Sequence, residues 1–465
     1  MRKNIGFGLV VLLALYVMLA SPFSPGLGAQ GHTMMGGVLI AIGIWVLKPF
    51  ALPYSVGGLF LAAFGLIAGL RPGLVFSGFA EPAVWTLVPA LFFGTVLRKT
   101  GLGKNMAFGI MRLFRPSYPS LICAWVCIGV VLSIFTPSMT VRVAIMIPIA
   151  MQCCELCQLK KGSRGQSLIM LTAFAMALLP GSGWLTGVLW GPIVQGVYDG
   201  VPQMTGLITF DSWLSVMLIP QLGVSALLVL VSYFVLKPQE TISPEVFASL
   251  IKEKIVFSGD EKKAGVILLA SFALFITSGL HGIPTAAICL GAVVLFFLFR
   301  ILGPDDIGGG ISWDMVLYTG MALGINSIFS TTGISAWLSG IIVPAIGPVA
   351  GNPLIFALVM LLILFAWRFF DIAMFIPTMA VLIPVLPSIQ EAYGISPLLW
   401  LPLFIMAANC FFMNYQNMWA VMGTSLAGDR SWTPRHLGTY GIIYFISCAV
   451  LIALMVPLWL RMGLI

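Results

Sequence analysis

The stretch Phe135-Thr136-Pro137-Ser138-Met139-Thr140-Val141-Arg142 stands between two apolar runs, 118–136 and 139–158. The loop before these runs, 98–117, carries Arg98, Lys99, Lys104, Arg112 and Arg115, and the loop after them, 159–166, carries Lys160, Lys161 and Arg164. Basic loops stay on the cytoplasmic side of a membrane, so the chain between them must enter and leave the bilayer on one face. A re-entrant hairpin with its tip at 136–140 does this, and so do two full spans. The internal prolines and the polar tip favour the hairpin.

Composition makes the membrane the only setting. Of 465 residues, 60% are apolar and 8% charged, where a soluble domain carries about 25%. So few charges exclude a cytosolic enzyme, a disordered chain and a disulfide scaffold. Repeated apolar runs of about 20 residues are what bilayer-spanning helices need, and the fold class read from them is an all-α polytopic membrane protein. The +8 net charge lies in short loops, where it orients the chain, and gives no reason to expect nucleic acid. The three histidines, His32, His281 and His436, lie outside the apolar runs and argue against a histidine metal or redox centre. Cys153, Cys154 and Cys157 lack a second Cys/His pair and read as reduced structural residues. Met1-Arg2-Lys3 followed by an apolar stretch reads as a first retained span with its N-terminus inside, rather than a signal peptide.

The stretch 353–389 shows the opposite charge pattern. Its flanks, 331–352 and 390–396, contain no Lys or Arg, so it reads as a hairpin entering from outside, with its tip between Asp371 and Pro377. The order of elements then repeats. Residues 82–236 read as span, hairpin, interrupted span and span, and residues 313–462 read the same way with inside and outside exchanged. The interrupted spans are 167–197, broken at Pro180-Gly181-Ser182-Gly183, and 396–426, broken near Asn414-Tyr415-Gln416-Asn417. Paired broken helices in two inverted halves point to the central site of a transporter.

The first hairpin, with Thr136-Pro137 before it, Arg142 after it and Pro148 ten residues beyond Ser138, resembles the Ser-Asn-Thr hairpin of the divalent anion/sodium symporter family. Within that family it is closest to the branch of citrate/succinate and oxoglutarate/malate exchangers. Ile311-Ser312-Trp313-Asp314, and Ile383-Pro384 at the end of the second hairpin, support the resemblance, which covers about residues 35–462. It implies about 11 transmembrane helices plus two hairpins in two inverted repeats. The division is then 1–81 for N-terminal scaffold helices and 82–236 for the first repeat (hairpin 118–158, broken helix 167–197). A cytoplasmic linker helix and two scaffold helices fill 237–312, and 313–465 form the second repeat (hairpin 353–389, broken helix 396–426). It further implies a homodimer in the inner (plasma) membrane, with the C-terminus outside, that moves small di- or tricarboxylates or sulfate by an elevator motion, coupled to sodium or by exchange. Met139 replaces the family's Asn in the first motif, and Met374-Phe375-Ile376 offer no Ser, Asn or Thr in the second. Asp371 matches the acidic residue before that motif, and Asn417 alone survives from the second broken helix.

The site expected from these residues binds an anion at mid-membrane depth, where the N-terminus of each second hairpin limb lends positive potential. Ser138, Thr140, Arg142, Asn414, Asn417 and Thr378 form the expected substrate set, with Arg142 as a bidentate anchor. Ser138, Thr140, Gly181 and Gly183 form the expected sodium set. Arg368 and Asp371, three apart on one helix face, read as a structural ion pair or as a coupling site. No resident cofactor is expected. A cation/proton exchanger on a related fold is the second reading, weakened by the scarcity of intramembrane acids. A membrane enzyme or receptor is the third, and no catalytic cluster supports it.

Overall fold

The computed structural model describes residues 2–115, 117–239, 256–371 and 375–463. Among these, every regular element is a helix. In hydrocarbon an unpaired N–H or C=O costs several kcal/mol, and a helix pairs them within one segment. The helices form an all-α polytopic membrane protein. Among the described residues, six spans are at least 18 residues long and apolar enough to cross a bilayer, and five further apolar helices are shorter.

Helices α1 (Arg2–Ala20), α2 (Ala29–Leu47) and α3 (Tyr54–Ile67) come first. Asp314 caps α3 from 260 residues away: Ser55 N donates to its Oδ1 at 2.7 Å and Tyr54 N to its Oδ2 at 3.3 Å. Then α4 (Pro82–Thr100) leads through Gly101, at φ +80°, into α5 (Leu102–Met111). Two 18-residue helices follow, α6 (Tyr118–Phe135) and α7 (Met139–Leu156), joined by three residues. Next come α8 (Arg164–Leu178), a break of two 3-10 turns, α9 (Trp190–Asp199) and the long α10 (Phe210–Leu236). The stretch 165–183 is buried throughout and forms the centre of the core.

The linker helix expected over 237–263 falls largely on 240–255, outside the described residues. Lys262 and Lys263 belong to α11 (Gly259–Ile276), whose first turn Ser258 caps. After α12 (Thr285–Leu298), the order seen in 82–236 returns: α13 (Trp313–Thr331), Gly333 at φ +77°, α14 (Ile334–Ala350), then α15 (Pro353–Trp367). The run at 335–349 does not continue the line of α13 but bends from it by 85°. The second limb of the later hairpin is split into α16 (Ile376–Leu382), a 3-10 turn and α17 (Leu386–Tyr393), because Pro384 and Pro387 remove ladder donors. The second broken helix is α18 (Pro397–Ala408) and α19 (Met418–Ala427), and α20 (Pro434–Arg461) closes the chain.

Candidate functional site

The N-terminus of α7 carries the first two expected residues. Ser138 caps the helix, its Oγ accepting from Val141 N at 3.4 Å, while Ser138 O accepts from Arg142 N. The first-turn N–H groups of Met139 and Thr140 have no protein acceptor among the described residues. Thr140 Oγ1 accepts from Trp419 Nε1 at 3.0 Å. Trp419 lies in the first turn of α19, which Asn417 caps through bonds to Trp419 N (3.0 Å) and Ala420 N (3.4 Å). Two helix N-termini, one from each half of the chain, therefore meet across the Thr140–Trp419 bond. Both hydroxyls, Ser138 and Thr140, accept from protein donors and keep their own hydrogens for an incoming acceptor. Beside them lies a cavity of about 280 Å³, lined by Ser138, Thr140, Trp419, Thr95, Ser312 and Arg98 among others.

Arg142 lies elsewhere than its expected place. It is fully buried and absent from the cavity wall. Its Nε donates to Ala177 O at 2.7 Å, and its Nη1 to Gly187 O at 2.6 Å and Thr136 O at 3.0 Å. The guanidinium thus fastens the hairpin tip to both sides of the first break. Gly181 makes this approach feasible, since a Cβ there would stand 2.7 Å from Arg142 Nη1. Arg142 donates to Ala177, Gly187 and Thr136, and not to the carbonyls of Gly181 or Gly183 that the sequence assigns to the sodium set.

The second half repeats the device from the other limb. Arg368, also buried, follows the end of α15 and donates from Nη1 to the main-chain carbonyl of Asp371 and from Nη2 to that of Gln416. The guanidinium takes the main chain of Asp371, and the carboxylate of Asp371 accepts from the Thr378 hydroxyl. Thr378 in turn accepts from Trp367 Nε1 at 2.9 Å. Asp371 and Thr378 border a separate, apolar cavity of about 760 Å³ against α1 and α2, so they do not join Ser138 and Thr140. Asn414 Oδ1 accepts from Trp432 Nε1 at 3.1 Å.

Sequence reading missed Asn409. Its Nδ2 donates to Ser182 Oγ at 3.1 Å, and its Oδ1 accepts from Trp190 Nε1 at 3.3 Å. This bridge joins the two breaks directly. An amide at the end of an apolar helix was the available signal. Among the described residues, no group of three or more His, Cys, Asp or Glu is arranged to hold a metal.

The sequence profile of the sodium:sulfate symporter transmembrane region matches residues 3–464. The chain belongs to the sodium:sulfate symporter family. Its apolar helices make it a multi-pass membrane protein of that family. This sodium:sulfate symporter family member is 26% identical to a chloroplast dicarboxylate transporter of Arabidopsis thaliana, over 68% of its own length and 59% of that protein. It thus spans somewhat more than half of that relative. It is 23% identical to an L-tartrate/succinate antiporter of Escherichia coli, over 63% and 61% of the two chains. The solved structure of the Alcanivorax borkumensis YdaH transporter matches with a TM-score of 0.60 at 14% identity, covering 100% of this chain and 99% of that one. That likeness supports the fold.

Proposed function

We propose that this family member is a secondary transporter of small organic or sulfur-containing dianions. The observation that carries the reading is the convergence of the α7 and α19 N-termini beside a cavity into which two hydroxyls can donate. Oriented N–H groups and helix dipoles favour negative charge, and each terminus contributes most where water is scarce. The names of the plant and bacterial relatives point the same way. The alternative of a cation exchanger asks for carboxylates in the cavity, and its lining has none. Uptake of labelled succinate, citrate and sulfate into proteoliposomes tests the reading, and failure of all three overturns it.

Exchange is the coupling we favour over sodium symport. In each half a guanidinium takes main-chain carbonyls of the tip and the break, which removes them as ligands for a cation. A buried ion is costly unless hydrogen bonds replace its hydration, and these carbonyls supply that replacement. An elevator motion of hairpins and broken helices as one body draws support from the Asn409–Ser182 and Thr140–Trp419 bonds, which tie the halves together. The left-handed glycines Gly101 and Gly333, at equivalent joints, suit hinges between that body and a dimeric scaffold, and they fit a division into the two repeats 82–236 and 313–465. The basic loops support a cavity mouth, beside Arg98, on the cytoplasmic side. State-dependent crosslinking between residues near 138 and 225 tests the motion, and one unchanging pattern overturns it.

A further inference from the structure

Among the described residues, Arg98 is the sole charged residue lining the 280 Å³ cavity. It stands in the last turn of α4 and is exposed. Its neighbour Lys99 takes the nearby carboxylate, pairing with Asp306 at 2.5 Å. Arg98 makes no ion pair among the described residues. The face of α4 that carries it faces the hydroxyl site throughout. Leu91, Thr95 and Arg98 all line the cavity, and Gly94 packs so closely that a Cβ there would come within 3.1 Å of Ser138 Cβ and 2.8 Å of Val141 Cγ2. Positions 94 and 98 share a helix face, one turn or about 6 Å apart along the axis. The glycine thus abuts Ser138 and Val141 at the hydroxyl site, and Arg98 is attached one helical turn further along α4 on the same cavity wall. Met139, Met315 and Met418 contribute apolar wall.

From this arrangement we infer that Arg98 is the specificity residue that selects dianions. One anionic group meets Ser138, Thr140 and the two helix N-termini, the short carbon chain lies against the methionines, and the second anionic group meets the Arg98 fork, which can bind a carboxylate through two N–H donors. A monoanion satisfies the first end alone and leaves the guanidinium in water, so it gains nothing from Arg98. The inference rests on the anion-transport reading above and adds to it the residue that counts charges.

The test measures succinate and butyrate as competitors of labelled succinate uptake in proteoliposomes holding the full chain. Arg98→Gln should raise the succinate half-saturation concentration at least tenfold and leave butyrate inhibition unchanged, so the preference for the dianion collapses. Arg98→Lys, which keeps the charge and the loop's topological signal but loses the fork, should raise it about threefold. Lys99→Gln, which removes a neighbouring charge outside the cavity wall, should leave both values unchanged. If Arg98→Gln fails to accumulate in the membrane, Arg98→Lys decides alone: a rise confined to succinate supports the role, and an unaltered value overturns it. Equal changes for both anions also overturn it. Normal wild-type uptake with an unaffected Arg98→Gln sinks only this assignment, whereas a wild type that moves none of these anions sinks the transport reading as well.

Discussion

The two hairpins solve one problem with guanidinium groups placed on opposite limbs. In the first, Arg142 follows the tip and gathers three carbonyls; in the second, Arg368 precedes the tip and gathers two. Beyond this shared staple they diverge. The first tip sets two hydroxyls in the wall of a cavity that also carries Arg98. The second turns its one hydroxyl, Thr378, onto its own Asp371 beside an apolar cavity. On the function proposed above, the staple maintains the breaks while ligands meet the first half, completed by Trp419 from the second.

The largest effect expected from this contrast is structural. Arg142→Ala would leave three buried carbonyls unpaired and Arg368→Ala two, at about 1–3 kcal/mol for each. Both variants should melt well below the wild type in detergent, Arg142→Ala further. An Arg142→Ala protein that melts normally but binds no anion would return Arg142 to the role of anchor. Next, Thr140→Val removes a hydroxyl hydrogen from the cavity and should weaken dianion uptake about tenfold, the equivalent of about 1.4 kcal/mol, while Thr378→Val should leave half-saturation within twofold. Equal losses would show that both tips bind substrate. Replacing external sodium with choline should change exchange by less than twofold; a steep sodium dependence would mean that an ion displaces one staple. The smallest effect concerns the rim. Gly303 N and then Lys99 stabilise the Asp306 carboxylate and hold it below its ordinary range. A depressed carboxylate stabilises above its unfolded value of about 3.9 and loses that contribution as pH falls through its lower folded value. Asp306→Asn should therefore cost less than about 1 kcal/mol at pH 7, and nothing once acid has protonated the wild-type group, read from melting curves at both pH values.

Much of the fold was legible because lipid imposes strong local rules. Apolar runs and basic loops alone located the helices flanking 135–142, and Pro180-Gly181-Ser182-Gly183 announced a break where a structured gap stands. The 85° turn at Gly333 was not legible, since a left-handed glycine leaves no mark that distinguishes it from any other. Ser138 and Thr140 were readable as hairpin hydroxyls, and the structure sets them in the wall of the smaller cavity. Arg142 was visible as an intramembrane charge, but its partners are carbonyls, which every residue has, so composition could not show that they would claim it. Arg98 was read as a loop charge because its relation to Ser138 passes through packing at Gly94, and side-chain packing between distant helices has no periodic signature. Asn409 was hidden for the same reason.

The carboxylate cap on α3 sets a timetable. Tyr54 and Ser55 present their N–H groups to Asp314, a residue the ribosome adds 259 positions after Ser55. At roughly 5–20 residues per second, the first turn of α3 waits on the order of 10–50 s for its acceptor, and longer if exit from the translocation machinery is slow. Through that interval water or lipid headgroups must serve the two donors. The early helices can thus enter the membrane in sequence, yet their final seating is deferred until the second half of the chain has been made.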